Sequence, residues 1–174
     1  NEQEGSRKIK TEFMVQFGGT RSEQQDRILI IGATNRPQEL DEAVRRRLEK
    51  RLYIPLPDDE GRRIFITNMI EKEKQTGINI VMNSEDISII VSLTKGYSGA
   101  DLKTLCTEAS FIPIRSIADI SAVDIKNIRS VNLDDFKLAV ESVSATVNQD
   151  DLDKYYEWNN QFGSYKFKVQ EIGG

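Results

Sequence analysis

R-I-L-I-I-G-A-T-N-R-P-Q-E-L-D-E-A-V-R-R-R-L-E-K-R-L-Y-I-P-L-P, residues 27–57, holds the pattern that decides the fold. Its first apolar run, Ile28 to Ile31, is rich in β-branched residues and has the length of a strand buried on both faces. The run stops at Gly32, and the chain turns through Thr34-Asn35-Arg36-Pro37. Arg36 precedes a proline, which pushes it out of the helical region, so the segment leaves the sheet as a loop. Asn35 then stands at the carboxyl end of a buried parallel strand, where open α/β sheets bind ligands. A helix over 39–49 follows, with Arg45, Arg46 and Arg47 in a row, and a second strand over 52–56. Two readings of the arginines are open. They can complement the negative end of the helix dipole and face solvent. Alternatively, their permanent guanidinium charges can clamp phosphate oxygens bidentately. The order strand, Asn, loop, arginine helix, strand favours the clamp.

Upstream, residues 5–17 place Ile9, Phe13 and Phe17 on one face of an amphipathic helix with Ser6 as its N-cap. A polar, glycine-containing loop spans 18–26. Helix and strand in alternation imply a parallel α/β sheet. Two strands cannot make a stable parallel sheet alone, so residues 1–57 are expected to be the back half of a larger domain. Beyond Pro55 and Pro57 the pattern is helical only. Asp58 caps a helix over 59–75 that Gly77 ends, and Ser84 caps one over 85–94. Ser98 with Asp101 reads as a capping box for a helix bearing Leu102, Leu105, Cys106 and Ala109, which Pro113 should kink or end. Asn132 caps a helix with Phe136, Ala139, Val140 and Val143 inward. A last helix, 149–162, carries Tyr155, Tyr156 and Trp158. The expected division is 1–57 sheet part, 58–145 helical domain, 146–163 terminal helix packing back on the sheet part or a neighbour, and 164–174 frayed tail.

Composition narrows the function. The 174 residues are 38% hydrophobic and 30% charged, enough for a core in a helix-rich protein. The net charge of -4 is uneven: 11 Lys/Arg against 9 Asp/Glu in 1–57, and 13 against 19 in 58–174. No polybasic face results, so direct nucleic-acid binding is not expected, despite the aromatic terminal helix. Histidine is absent, which removes histidine triads and histidine-ligated metals. The single cysteine, Cys106, excludes an internal disulfide and lies on an apolar helix face, as a small core residue does. No apolar run is long enough for a membrane span, and a cytoplasmic or nuclear location is expected.

The sequence resembles a known family at this level of detail. G-A-T-N-R-P-Q-E-L-D-E-A-V-R-R-R-L is similar to the second region of homology of AAA ATPases. R-L-Y-I-P-L-P-D looks like the spastin, katanin, fidgetin and Vps4 group. K-I-K-T-E-F and G-Y-S-G-A-D-L belong to the same pattern, while P-I-R-S-I-A-D-I and Y-Y-E-W-N-N-Q-F-G resemble fidgetin-like members. Together the motifs extend over nearly the whole chain. The implied fold is the C-terminal part of a AAA parallel-sheet ATPase domain, then a small all-helical lid domain and a C-terminal helix.

The resemblance implies roles residue by residue. Asn35 matches the first sensor, whose amide addresses the attacking water or the γ-phosphate; taken from the residues alone, a turn-stabilising asparagine is equally open. Arg46 and Arg47 match paired arginine fingers acting on nucleotide held by the neighbouring subunit; Arg45 matches a structural or interface position. Gly99 and Ala100 match the second-sensor region beside base and ribose, here without an arginine. The phosphate loop G-x-x-x-x-G-K-[ST] and the metal-holding acidic strand are absent, so ATP and Mg²⁺ are expected to be held mainly by residues upstream, and this chain alone to be inactive. No metal ligand is assigned. Residues 1–8 match part of a pore loop. The implied activity is ATP hydrolysis in a homo-oligomeric ring, expected to be a hexamer, that remodels a polypeptide substrate. Tubulin tails and microtubule severing are expected. The alternatives are a recombination-linked remodeller of fidgetin-like type and a non-catalytic helical fragment that binds partners.

Overall fold

Short polar side chains set most helix starts in this chain. The computed structural model describes residues 11–12, 29–117 and 128–166. Thr11 and Glu12 are helical; the rest of the helix expected over 5–17, the 18–26 loop and residues 1–8 lie outside the described residues. The chain divides into two compact units, one formed by Asn1–Tyr53 with Leu152–Gly174 and the other by Ile54–Asp151.

The second unit is built from α2 (Asp59–Gln75), α3 (Ser84–Leu93), α4 (Gly99–Arg115) and α5 (Leu133–Ser142). Asp58 caps α2 by accepting from Gly61 N. Asn83, not Ser84, caps α3, because its amide oxygen and the Asp86 carboxylate close a reciprocal box that a serine at the first helical position cannot make. Ser98 and Asp101 form the box of α4, and Asn132 with Asp135 that of α5. α4 runs two residues past Pro113 before Ser116 caps it. α4 packs on α2 and α5, and α3 packs on α2 and α5. The apolar faces meet in one core: Ile66 and Ile70 of α2, Ile90 and Val91 of α3, Leu102, Leu105, Cys106 and Ala109 of α4, and Phe136 and Ala139 of α5. Burial, with the Glu73 charge adding, pushes the Cys106 thiol up to about 12, which makes it an inert filler. Among the described residues, a parallel bridge, Ile80 to Val131, joins the two long connections.

Two buried carboxylates lock this unit. Burial alone would raise the Asp101 pKa. Hydrogen bonds from Ser98, and from Thr146 Oγ1 at 2.8 Å, outweigh it and hold the carboxyl below its ordinary value. Asp135 is held low in the same way, burial being outweighed by the Arg129 guanidinium at 2.6 and 2.7 Å and by the Asn132 N–H. A depressed carboxyl contributes stability above its unfolded value and loses it as pH falls through the folded one. The unit should therefore keep a constant melting temperature between about pH 5 and pH 8 and lose stability below about pH 4. Asp101→Asn should cost on the order of 1 kcal/mol at neutral pH and shrink the acid loss, as read from melting curves across pH; an unchanged acid limb would remove Asp101 from this role.

The first unit contains a 3-10 turn over Pro37–Glu39, α1 (Glu42–Arg47) and, from Leu152 onward, α6 (Gln149–Phe162). The single helix expected over 39–49 is thus two shorter pieces, because Leu40 is extended and Asp41 starts α1 by accepting from Val44 N. The strands expected over 28–31 and 52–56 are not formed: residues 29–31 and 52–56 carry neither ladder nor bridge, and Leu29, Ile31, Leu52 and Ile54 are exposed. The physical reason is the one that marked this part as incomplete, since two short strands have no sheet to join. α6 is anchored by Tyr53, which stacks on Tyr155 at 6.4 Å and meets Tyr156 edge-on at 5.4 Å.

Candidate functional site

A six-residue helix is too short to persist on propensity, so α1 depends on its attachments. Asp41 fixes its start, and Glu42 sits at the positive end of its dipole. Its last turn holds three arginines that the structure sends to different tasks. Arg45 is half-buried, and its guanidinium lies 4.4 Å from the Phe162 ring centroid in a cation–π contact. Arg46 is 74% exposed and pairs with Glu42 one turn back. Arg47 is exposed and donates to the Ala43 carbonyl at 3.3 Å. An exposed i,i+4 pair is worth about 0.3–0.5 kcal/mol, and a single long bond to a carbonyl holds a side chain no more firmly. Arg46 and Arg47 can therefore leave these partners for a phosphate at small cost. Beside them is a groove of about 400 Å³ lined by Glu42, Arg45, Arg46, Glu49, Arg51 and Phe162.

Asn35 lies in the same unit, in the exposed turn before α1. Thr34 Oγ1 accepts from Arg36 N at 3.0 Å, and the Arg36 guanidinium binds Glu39. These bonds hold the turn, and the Asn35 amide makes no hydrogen bond to another described residue. Its backbone is gripped instead, since Tyr155 donates its hydroxyl to the Asn35 carbonyl at 2.9 Å. A held backbone with an unengaged amide suits a side chain that must address a ligand.

Gly99 and Ala100 belong to the other unit, as the first two residues of α4. Their N–H groups have no intrahelical acceptor. An added Cβ at Gly99 would meet only the Phe65 ring at 3.6 Å, an ordinary contact, and Gly99 has no positive φ. The fold therefore does not require glycine here. Gly99→Ala should leave the melting temperature unchanged or slightly raised, yet weaken nucleotide affinity severalfold, as titration calorimetry of the complete protein would read. Unchanged affinity would show that no ligand approaches this backbone. Among the described residues no group of three or more Asp, Glu, Cys or His side chains could hold a metal ion.

Two residues carry much of this geometry in ways the sequence did not reveal. Arg51 binds carbonyls at the ends of both α1 and α6, and Tyr155 holds Asn35. The available signal for Arg51 was a basic residue shortly after a helix end, where cations meet unpaired carbonyls. The aromatic run of the terminal helix marked Tyr155 as a packing residue but not its partner, which is 120 residues away.

Comparison with known proteins finds three matching regions along the chain. The profile for the ATPase family associated with various cellular activities (AAA) matches residues 1–56, that for the AAA+ lid domain 84–136, and that for the Vps4 C terminal oligomerisation domain 115–163. Fidgetin-like protein 1 of Rattus norvegicus is 46% identical over 167 residues, 95% of this chain and 24% of that protein. The crystal structure of the FIGL-1 AAA domain in complex with ADP aligns at TM-score 0.82 and 46% identity, over 92% of this chain and 53% of that one. A katanin structure on the basis of katanin self-assembly aligns at TM-score 0.72 and 33% identity, over 90% and 54%. The chain thus spans about a quarter of the length of the curated relatives it matches. The AAA α/β class expected from residues 27–57 is that of its relatives, with the lid and terminal helices following in the expected order.

Proposed function

The chain belongs to the AAA ATPase family, of fidgetin-like type, and from that premise we propose that it supplies the trans-acting arginines and first sensor of a ring-forming ATP hydrolase. The observation that carries this is the divergence of the arginines: Arg45 is used by the fold, while Arg46 and Arg47 remain at the surface with weak partners. Cations so placed stabilise charge that develops on phosphoryl oxygens during transfer. We take the triphosphate they address to be that of a neighbouring subunit, as the match of Arg46 and Arg47 to paired arginine fingers implies. The ADP complex of a similar domain supports nucleotide as ligand. A katanin self-assembly structure and the oligomerisation domain matched over 115–163 support a ring, which we take to be a hexamer. Asn35 orients the attacking water or γ-phosphate, and Gly99 and Ala100 offer small residues and free N–H groups to the base and ribose. Among the described residues no group of three or more acidic side chains is placed to hold Mg²⁺, and we take its ligands to lie elsewhere in the protein. The chain by itself, lacking G-x-x-x-x-G-K-[ST], should bind ATP poorly and not hydrolyse it.

Hydrolysis would drive remodelling of a polypeptide, and we propose tubulin tails as that polypeptide and microtubule severing as the outcome, in the cytoplasm or nucleus. Turnover per subunit of the complete protein should rise with protein concentration as the ring assembles, and rise again with tubulin. A concentration-independent rate removes the trans mechanism. Stimulation by recombination proteins but not tubulin would favour the other fidgetin-like role. Asn35→Ala should lower turnover on the order of 10²-fold, the usual cost of one transition-state hydrogen-bonding group, without changing the melting temperature; normal turnover would end its sensor role.

A further inference from the structure

We propose that Arg51 is a positioning residue for Arg46 and Arg47, and that it ties their orientation to the docked end of the C-terminal helix α6. The proposal deepens the trans-arginine reading and rests on it. Arg51 Nη1 donates to the Arg45 carbonyl at 2.7 Å and to the Leu48 carbonyl at 3.0 Å. Its Nε donates to the Phe162 carbonyl at 2.6 Å. The main chain completes the clasp: Arg51 N donates to Ser164 Oγ at 2.9 Å, and Ser164 N donates to the Arg51 carbonyl at 2.9 Å.

The Arg45 carbonyl shares its peptide plane with Arg46 N. Fixing that carbonyl fixes the plane from which Arg46 and Arg47 project. A short helix with its last carbonyls unsatisfied would fray at this end. One planar guanidinium instead spans the negative ends of α1 and α6, with charge-assisted bonds to both. The rigid fork matters, because a lysine ammonium on a flexible stem cannot keep the same donors on three carbonyls. A second tie runs in parallel, from the Arg45 guanidinium to the Phe162 ring. Loss or undocking of the end of α6 should therefore misdirect the arginines without touching them.

The test uses the complete protein carrying Arg51→Lys or Arg51→Gln; the lysine variant keeps charge and stem should the glutamine variant fail to fold. Turnover at saturating ATP should fall tenfold or more in both, with KM for ATP changed less than about threefold. Each variant is then mixed with a protein disabled only in its phosphate loop. If Arg51 acts through arginines that serve a neighbour, the mixture should exceed the sum of its parts severalfold, as should a control mixture with Arg47→Ala. Unchanged turnover in the lysine variant overturns the proposal. So does complementation of Arg47→Ala but not of the Arg51 variants, which would confine Arg51 to its own subunit's fold. Failure of the Arg47→Ala control itself overturns the trans reading, and this proposal with it.

Discussion

Arg47→Ala in the complete protein is expected to lower ATP turnover by roughly 10³-fold or more while changing nucleotide affinity less than about threefold. The expectation follows from how its side chain is held. Arg47 is exposed and has one 3.3 Å bond to a carbonyl of its own helix, so its removal leaves no buried partner and no cavity. Stability should move by no more than about 0.5 kcal/mol, as for other surface changes. A guanidinium that meets phosphoryl oxygens only as charge develops contributes to the transition state and little to the ground state, which places the loss in kcat. Arg46→Ala should fall short of that loss, because Arg46 must first give up its ion pair with Glu42. Arg47→Lys should recover only a small part, since an ammonium cannot reproduce the bidentate fork. Turnover and equilibrium binding of a fluorescent ATP analogue separate the cases. Loss of binding together with turnover would mean that Arg47 serves the nucleotide of its own subunit.

Local signals were legible where local chemistry decides the structure. Asp58, Ser98 and Asn132 start their helices in the structure as read from the sequence, because a capping side chain and its N–H acceptors lie within three residues. α2, α5 and α6 follow their apolar spacing for the same reason. Leu40 and Asp41 broke the helix expected over 39–49, since Asp41 caps better than it sits in a helix interior. The apolar runs at 29–31 and 52–56 had the composition of strands but not the neighbours, and strand formation is a property of the sheet. Within the site, the arginine run was visible and its division of labour was not. Whether Arg45 or Arg47 turns inward depends on Phe162, more than a hundred positions downstream. Arg51 was hidden likewise, its partners lying 3, 6 and 111 residues away. Periodicity reports faces of one element; it is silent on which distant carbonyl an arginine will find.

Phe136→Ala should destabilise the unit formed by Ile54–Asp151 by about 3–5 kcal/mol, the range for truncating a buried phenylalanine. Phe136 is 1% exposed, on the inward face of the helix that packs on both α3 and α4. Its removal leaves a cavity that the close-packed helices α3 and α4 cannot collapse to fill. Domain stabilities of about 5–15 kcal/mol leave little margin after such a loss. The effect should reach nucleotide binding through the start of α4. That start is tied to the segment after α5 by Tyr97, whose hydroxyl donates to the Val143 carbonyl, and by Thr146 on Asp101. A loosened α5 would therefore release Gly99 and Ala100 from their fixed position. Phe111→Ala is the matched control: the same side chain, 48% exposed, should cost about 0.5 kcal/mol or less and leave binding intact. Chemical denaturation of both variants, followed through the lid transition, gives the comparison. Equal costs would mean that Phe136 does not centre the core, and that the α4 start is held by its capping box alone.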